Sequence, residues 1–362
     1  MRTATLLTLL PLLLLSLTAC QSTPSDDADS VVERQFLSIG TAPTGGAFFV
    51  VGGALAEVAA QFGPEGWEVT AEATKGSQEN IRRLVRGELD FALANSAISY
   101  FAVRGEGGWD QTYPIKTVMT LAPNVALFVT PASSDIESIA DLRGKRVVIG
   151  PAGAGFEYFV RPILDAHGVS WDDLNVLHNT QSAAADMLGD GSADAAFLGG
   201  AVPTASLVQA ASSMELRFIP FDQEARDQLI ADYPFFAAAT IPAGTYRGLD
   251  DDLAVLDTGS MHLITNEKIP EDVVYAMTKT IYENRDAVVE RHAAGKAIRP
   301  NVVTRDTGTP FHTGAQRFYE ELGVGSYGEA ADAGAAAAAD TPAEDADAAD
   351  ADAPAEDVAS ES

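Results

Sequence analysis

The chain has 362 residues, of which 46% are hydrophobic and 21% charged, and its formal net charge is −29. This composition excludes a wholly disordered chain and a fibrous repeat, and the length allows two domains, each with its own core. The acidic excess repels phosphate backbones, so no nucleic-acid partner is expected, and a single cysteine excludes an intrachain disulfide and a cysteine-based zinc site.

The start of the chain has the pattern of a secretory signal. Arg2 provides a positive charge, and an apolar run from Leu6 to Leu17 leads into the string Leu-Thr-Ala-Cys, which ends at Cys20. This run is shorter than the roughly 20 residues that cross a bilayer. The string resembles a bacterial lipobox, so we predict a lipoprotein signal peptide over residues 1–20 and a linker over residues 21–32. An ordinary signal peptide with an incidental cysteine is the alternative.

The body of the chain alternates short apolar runs with amphipathic stretches, which indicates an α/β architecture. The predicted strands are Phe36–Ile39, Val69–Ala73, Phe91–Ala94, Ala126–Thr130, Arg146–Ile149, Ala195–Leu198 and His262–Ile264.

One strand-loop-helix unit occurs twice in this body. FLSIG-TAPTGGAFFV begins at Phe36, and KRVVIG-PAGAGFEYFV begins at Lys145. Each is followed by a second repeated string, G-x-x-D-x-A, which begins at Gly87 and again at Gly191. The repeats predict two lobes of related construction that face each other across a cleft, the arrangement of a hinged clamp for a small ligand. A chance recurrence of ordinary strand-glycine-helix turns is the alternative.

Three loops of small residues precede predicted helices, and each suits an anion. They are Thr41–Gly46, the string that runs from Thr74 to Ser77, and Gly150–Gly155. Glycine lets a ligand approach the backbone, and a helix N-terminus offers unpaired N–H donors with a partial positive charge. Ser77 is also predicted to be the N-cap of the helix that runs on to Arg86.

Helix termini alone are too weak for micromolar binding, so side-chain donors are needed as well. The candidates are the hydroxyls of Thr41, Thr44 and Ser77, the polar groups of Asn95 and Ser96, and the cation Arg161. Arg161 can equally be a surface residue of its helix, and Lys75 fits a solvated side chain better than a ligand contact.

Signals of catalysis are missing from the sequence. It has no G-x-S-x-G string, no Walker loop and no H-E-x-x-H string, and its five histidines lack metal-ligand spacing. We therefore predict a protein that is not an enzyme and that uses no metal or cofactor. From Glu329 to Ser362 the chain is nearly all Ala, Asp and Glu, which predicts a disordered acidic tail over residues 329–362.

An ordered set of motifs resembles the TAXI class of solute receptors for TRAP transporters. These motifs are IGTAPTGGAFF, ATKGSQENIRRLVRGELDFALANSAI, DLRGKRVVIGPAGAGFE, YPFFAAATIPAGTYRG and HTGAQRFYEELGV. The resemblance extends from about Phe36 to Val324. It implies a type II periplasmic-binding-protein fold that captures a small carboxylate, such as glutamate or 2-oxoglutarate, and delivers it to a TRAP permease in the membrane.

Carried onto this sequence, the ligand loops of that family fall at Thr41–Gly46, Thr74–Asn80, Asn95–Ser96 and Gly153–Glu157. The expected ligand-binding residues are Thr41, Thr44, Gly45, Lys75, Gly76, Ser77, Asn95, Ser96, Gly153, Ala154, Gly155, Phe156 and Arg161.

Two departures from the family pattern bear on the ligand. Phe156 stands where the family pattern leads us to expect a small hydroxyl residue, which implies a less polar ligand. Asn95 and Ser96 lie in a string without the acidic residue of some relatives, which favours a ligand without an ammonium group.

The sequence therefore predicts two α/β lobes around a central cleft with hinge segments. Lobe I comprises residues 33–124 and 259–324, and lobe II comprises residues 125–258. The receptor is expected in the periplasm or at the cell surface, anchored to a membrane through lipidated Cys20. An exported sensory or accessory lipoprotein that signals ligand occupancy is one alternative, and a hydrolase or transferase built on the clamp is another.

Overall fold

The computed structural model describes residues 34–44 and 47–324. The predicted signal peptide with Cys20, the predicted linker and the predicted acidic tail lie outside the described residues. The strands of the described part are β1 (Gln35–Gly40), β2 (Trp67–Glu72), β3 (Phe91–Asn95), β4 (Ile115–Thr120), β5 (Val125–Pro131), β6 (Arg146–Ile149), β7 (Asn175–Leu177), β8 (Ala195–Gly200), β9 (Leu216–Phe218), β10 (Phe236–Ile241), β11 (Leu253–Thr258) and β12 (Met261–Asn266). Its α-helices are α1 (Ala47–Phe62), α2 (Ser77–Val85), α3 (Ser96–Arg104), α4 (Glu157–Ala166), α5 (Gln181–Gly189), α6 (Ala205–Ser213), α7 (Gln223–Asp232), α8 (Glu271–Glu283), α9 (Arg285–Arg291), α10 (Pro300–Val303) and α11 (Thr313–Glu321).

The strands form two sheets that divide the chain into two halves. The first sheet has the order β2-β1-β3-β12-β4, and the second has the order β10-β11-β5-β8-β6-β7, with β9 also paired to β5. We call residues 34–124 and 259–324 the first half, and residues 125–258 the second half. The chain passes between the sheets twice, through residues 121–124 and through residues 259–260. These two crossing segments are where a hinge can operate.

Each sheet contains the same three-stranded parallel unit. In the first sheet β1 pairs with β2 and β3, and in the second β6 pairs with β7 and β8. An antiparallel strand flanks each unit, β12 beside β3 and β5 beside β8. The repeated sequence unit is therefore also a repeated unit of topology.

The aspartates of the two G-x-x-D-x-A strings play the same part in the two sheets. Asp90 accepts a hydrogen bond from the backbone N–H of Ser38 in β1 at 2.8 Å. Asp194 accepts one from the backbone N–H of Arg146 in β6 at 2.7 Å. In both sheets the carboxylate before one strand holds its parallel neighbour, at Ser38 in the middle of β1 and at Arg146, the first residue of β6.

Two apolar cores stabilise the fold, and one of them crosses from half to half. The first core packs α1, α8 and α11 onto the first sheet. The second includes Phe128 and Phe197 of the second sheet together with Ile98 and Ala102 of α3 in the first half. Because this core is continuous, α3 contributes to the packing of both halves.

All seven predicted strands are present, with bounds that differ by no more than two residues at either end. Arg146–Ile149 is matched at both ends. The prediction that Ser77 caps α2 is wrong, because Gly76 occupies the N-cap position and Ser77 is the first helical residue. Among the described helices, none is long and apolar enough to cross a bilayer.

Candidate ligand-binding site

The first predicted loop follows β1 and begins at Thr41, whose polar atoms are all engaged within the protein. Its hydroxyl donates to the Glu72 carbonyl at 2.7 Å. Its carbonyl accepts from the Asn80 side-chain amide at 2.7 Å and from the Thr74 hydroxyl at 3.0 Å. Thr41 is fully buried and ties the first loop to the second. Thr44 is exposed, and Gly45 lies outside the described residues.

The second loop places a glycine and a serine at the start of α2. Gly76 is buried with φ +115°, a conformation that side chains disfavour, and its N–H donates to the Thr74 hydroxyl at 3.1 Å. Ser77 is 7% exposed, and its hydroxyl accepts from the Asn95 N–H at 3.0 Å. This bond joins the beginning of α2 to the end of β3. Lys75 is exposed.

The start of α3 carries a capped amide and a buried hydroxyl. The Asn95 side chain accepts from the Ala97 N–H at 2.9 Å and donates to the Gly259 carbonyl in the crossing segment at 2.7 Å. Ser96 is fully buried, and its backbone N–H donates to the Ser260 carbonyl at 3.0 Å. The Ser96 hydroxyl has no hydrogen-bond partner within the described part of the chain. A buried hydroxyl without a partner costs free energy, which a ligand that reached it between the halves would recover.

The third loop reaches across from the second half and contacts the starts of α2 and α3. A Cβ built on Gly76 would lie 3.9 Å from the Ala154 Cβ, and one built on Gly155 would lie 2.6 Å from Ile98 Cδ1 in α3. Gly155 has φ +94°, and Gly153 is exposed with φ +77°. The N-terminal ends of α2, α3 and α4 therefore come together where the two halves meet.

The ring of Phe156 packs within its own half, whereas the sequence suggests that it adds apolar surface to the ligand site. A Cβ built on Gly150 would lie 2.5 Å from the Phe156 ring, and the ring centroids of Phe156 and Phe159 are 5.2 Å apart. The ring thus packs back onto its own half. The expectation of a less polar ligand loses its physical basis, because it rested on that ring as added apolar surface.

Arg161 is also engaged elsewhere. It is exposed, and its guanidinium carbon lies 4.3 Å from the centroid of the Trp171 ring, a cation–π contact within the second half. The surface alternative considered for this residue matches its position, and we leave Arg161 out of the proposed ligand contacts.

The structure adds polar residues that the sequence did not single out. Asn80 is fully buried in α2 and donates to the carbonyls of Thr41 and Leu93, at 2.7 and 2.8 Å, which fixes the first loop against β3. A polar residue on the apolar face of α2 was the available signal. Gln78, next to Ser77, donates to the Tyr158 hydroxyl of the other half at 3.0 Å. No sequence signal indicates that pairing.

A buried charge pair lies at the crossing segments. Arg305 donates to the Asp257 carboxylate at 2.8 Å and to the Ser260 hydroxyl at 2.6 Å, and Ser260 donates to the same carboxylate at 2.5 Å. The other carboxylate oxygen of Asp257 accepts from the Asn124 N–H at 3.0 Å. Both crossing segments are therefore tied to one carboxylate.

His262 lies near this pair and is fully buried in β12. Burial, together with the positive charge of Arg305, lowers the pKa of His262 to about 3. Its ring Nε2 lies 2.7 Å from the Ser99 hydroxyl. The imidazole is therefore neutral at pH 7, and it supplies no positive charge to an anion. No group of three or more His, Cys, Asp or Glu in residues 34–44 and 47–324 is arranged to hold a metal ion.

Two similar α/β halves, joined by two crossing segments and meeting at three helix N-termini, define a periplasmic-binding-protein fold. The chain belongs to the NMT1-like family, whose family model matches residues 39–323.

Comparison with solved structures gives several matches of low sequence identity. A protein from Bordetella bronchiseptica RB50 is 13% identical with a TM-score of 0.51, and the match covers 81% of this chain and 99% of that protein. The periplasmic aliphatic sulphonate binding protein SsuA from Escherichia coli is 14% identical with a TM-score of 0.47, over 80% and 84% of the two chains. A TctC solute binding protein from Polaromonas is 14% identical with a TM-score of 0.45, over 71% and 86%.

Proposed function

We propose that this protein is an extracytoplasmic solute receptor that binds a small organic acid, such as 2-oxoglutarate or a glutamate-like dicarboxylate, between its two halves. It delivers the acid to the membrane subunits of a TRAP permease and catalyses no reaction. Lipidated Cys20 anchors it to a membrane, in the periplasm or at the cell surface. No metal or cofactor takes part.

One observation carries this proposal, the convergence of three helix N-termini from both halves. Ser77 at the start of α2 bonds to Asn95 at the start of α3, and Ala154 and Gly155 before α4 pack against both helices. Helix N-termini present N–H donors and a partial positive charge, which favour a carboxylate. The unpartnered hydroxyl of Ser96 at the first turn of α3 adds a side-chain donor.

The magnitudes require such side-chain donors. Each helix N-terminus contributes about 0.3–1 kcal/mol, and up to about 2 kcal/mol when partly buried. Micromolar binding needs about 8 kcal/mol. Hydrogen bonds to a charged ligand contribute roughly 1.5–3 kcal/mol each, so two or three of them, with the helix termini, supply the remainder. Ser96, Ser77 and Thr44 are the proposed side-chain contacts, supported by the backbone of Gly76, Gly153, Ala154 and Gly155.

The proposal is tested by a thermal-shift screen of the full chain against organic acids, acidic amino acids and neutral amides and sugars. An acid present at one hundred times its dissociation constant stabilises the folded state by about 2.7 kcal/mol, which raises the melting temperature clearly. A shift with one carboxylate supports the proposal. A shift with neutral compounds alone, or with no compound, contradicts the anion assignment.

A pair of serine variants tests the site itself. Ser96→Ala removes a hydroxyl that makes no hydrogen bond within the described part of the chain, so it should weaken acid binding without lowering stability. Ser206→Ala is the matched control, because Ser206 is buried in the second half and donates to the Gln181 side chain at 3.0 Å. It should lower stability slightly and leave the affinity unchanged. Equal affinities in the two variants would remove Ser96 from the site.

A further inference from the structure

Tyr158, on α4 in the second half, inserts its ring into the first half. The residue is 4% exposed. Its ring centroid lies 5.8 Å from that of Trp109, in a stacked arrangement, and 5.7 Å from that of Phe101. Its hydroxyl accepts a hydrogen bond from Gln78 at 3.0 Å. These three partners belong to the first half, so one side chain of the second half is held on several sides by the other half.

A glycine completes this arrangement. Gly107 has φ +65°, and a Cβ built there would lie 3.0 Å from the Cδ1 and Cε1 atoms of Tyr158. Alanine at this position requires the ring to give way by a few tenths of an ångström, and a larger residue requires more. We call Gln78, Phe101, Gly107 and Trp109 the Tyr158 socket. The guanidinium of Arg82, in the first half, lies 4.8 Å from the centroid of the Trp109 ring and supports that wall of the socket.

The socket is joined directly to the proposed ligand loops on both sides. The Tyr158 N–H donates to the carbonyl of Gly155 at 3.1 Å, and Gln78 follows Ser77 in α2. If Tyr158 moves into or out of the socket, the third loop therefore moves relative to the second. Tyr158 is a positioning residue, because its hydroxyl is occupied by Gln78 and its ring is buried among protein groups.

We propose that Tyr158 and its socket form a latch that holds the two halves closed, and that this latch sets ligand affinity through the fraction of molecules that are closed. The second part rests on the proposed function, whereas the first part does not. If only the closed form binds, the apparent dissociation constant equals the intrinsic one divided by the closed fraction. A variant that lowers the closed fraction tenfold then weakens binding about tenfold.

The latch is tested first without ligand. In the full chain, Trp67→Phe and Trp171→Phe leave Trp109 as the sole tryptophan, since the sequence has three. Tyr158→Ala and Gly107→Ala are made in this background, and the radius of gyration by X-ray scattering is read together with the emission of Trp109. We expect a larger radius and a red-shifted emission in both variants.

Gly108→Ala is the matched control for Gly107→Ala. Gly108 has φ +100°, so alanine is strained there as well, but nothing lies within 4 Å of its built Cβ. This variant should keep the radius and emission of its parent. The latch is refuted if folded Gly107→Ala and Tyr158→Ala also keep the parent radius, because the halves are then held together without Tyr158. Circular dichroism establishes folding, and Gly107→Ala carries the test if Tyr158→Ala unfolds.

Titration with 2-oxoglutarate tests the link to affinity. We expect Gly107→Ala to bind about tenfold more weakly than Gly108→Ala. If the two variants bind equally well although the radius of unliganded Gly107→Ala is enlarged, the coupling to affinity is refuted and the latch itself still stands. If the parent does not bind 2-oxoglutarate or any other acid of the panel, the proposed function fails, while the measurements without ligand still decide whether Tyr158 closes the two halves.

Discussion

The charge pair at the crossing segments yields the most demanding prediction. Replacing Asp257 with Asn keeps the size of the side chain and one oxygen acceptor, but it leaves the Arg305 guanidinium without its counter-charge. Asp257 is 1% exposed and Arg305 is 8% exposed, so water cannot replace the lost carboxylate. Removing one partner of a buried pair costs about 3–5 kcal/mol. Because asparagine keeps a hydrogen-bond acceptor, we expect about 3 kcal/mol, at the lower end of that range.

The assay is urea unfolding of the full chain at pH 7, with the midpoint and the slope fitted separately. Arg317→Gln is the control, since Arg317 pairs with Glu271 and Asp272 at the surface, where such pairs contribute less than about 1 kcal/mol. A loss below about 1 kcal/mol in Asp257→Asn, or a loss equal to that of the control, would refute the reasoning. Removing both charges, with Asp257→Asn and Arg305→Gln together, should restore part of the stability because no unpaired charge remains.

Two further predictions concern buried polar groups. The pKa of His262 is about 3 in the folded protein and about 6.5 in the unfolded chain, so between these pH values only the unfolded chain takes up the proton. The free energy of unfolding should therefore fall as the pH is lowered through that window, by up to about 1.4 kcal/mol per pH unit. His262→Gln should flatten this dependence in urea unfolding at pH 7, 6 and 5. An unchanged slope would contradict this. Asn80→Ala leaves the buried carbonyls of Thr41 and Leu93 without their amide donor, so the midpoint should report a loss of about 2 kcal/mol or more. Asn284→Ala, which removes one half-buried bond to a helix carbonyl, should cost clearly less, and a loss as large would count against the special role of Asn80.

Most of the predicted strands are apolar almost throughout, and β2, with its alternating buried and exposed positions, is the exception. FALAN of β3 and AAFLGG of β8 are buried at every position between two neighbouring strands, and this state requires a continuous apolar run. Five strands were not predicted, namely β4, β7, β9, β10 and β11. β4 and β11 are largely buried, but their apolar residues are interrupted by Lys116 and Thr117 or followed by Asp257. β7 has three residues, and β10 is buried only at its two ends, with small residues between them that are partly or fully exposed, so neither produces a marked apolar run. The repeat was recognised because strand, glycine turn and helix occur in the same order twice.

The site was predictable only as a set of loops. Glycine and serine strings before helices indicated where N–H donors lie, and the structure brings the second and third loops into contact. Which hydroxyl is free could not be predicted. Thr41 and Ser96 look equivalent in the sequence, but Thr41 donates to Glu72 whereas Ser96 makes no side-chain bond among the described residues. The Tyr158 socket could not be predicted for a related reason, since its residues come from α2, from α3 and from the segment after α3, and no sequence pattern links them to Tyr158 of α4.

The strand order of the first sheet affects the order in which the two sheets can form during synthesis. β12 lies between β3 and β4, and it is the strand through which β4 joins the sheet. All strands of the second sheet are synthesised between β4 and β12. The second half can therefore pair its strands from one continuous stretch of chain, whereas the first half waits for a strand that emerges last. Pairings between distant segments form slowly and leave strand edges open in the meantime. The strands that emerge from the ribosome earliest thus belong to the sheet that is completed last, and β4 has no partner strand in that sheet until β12 is made.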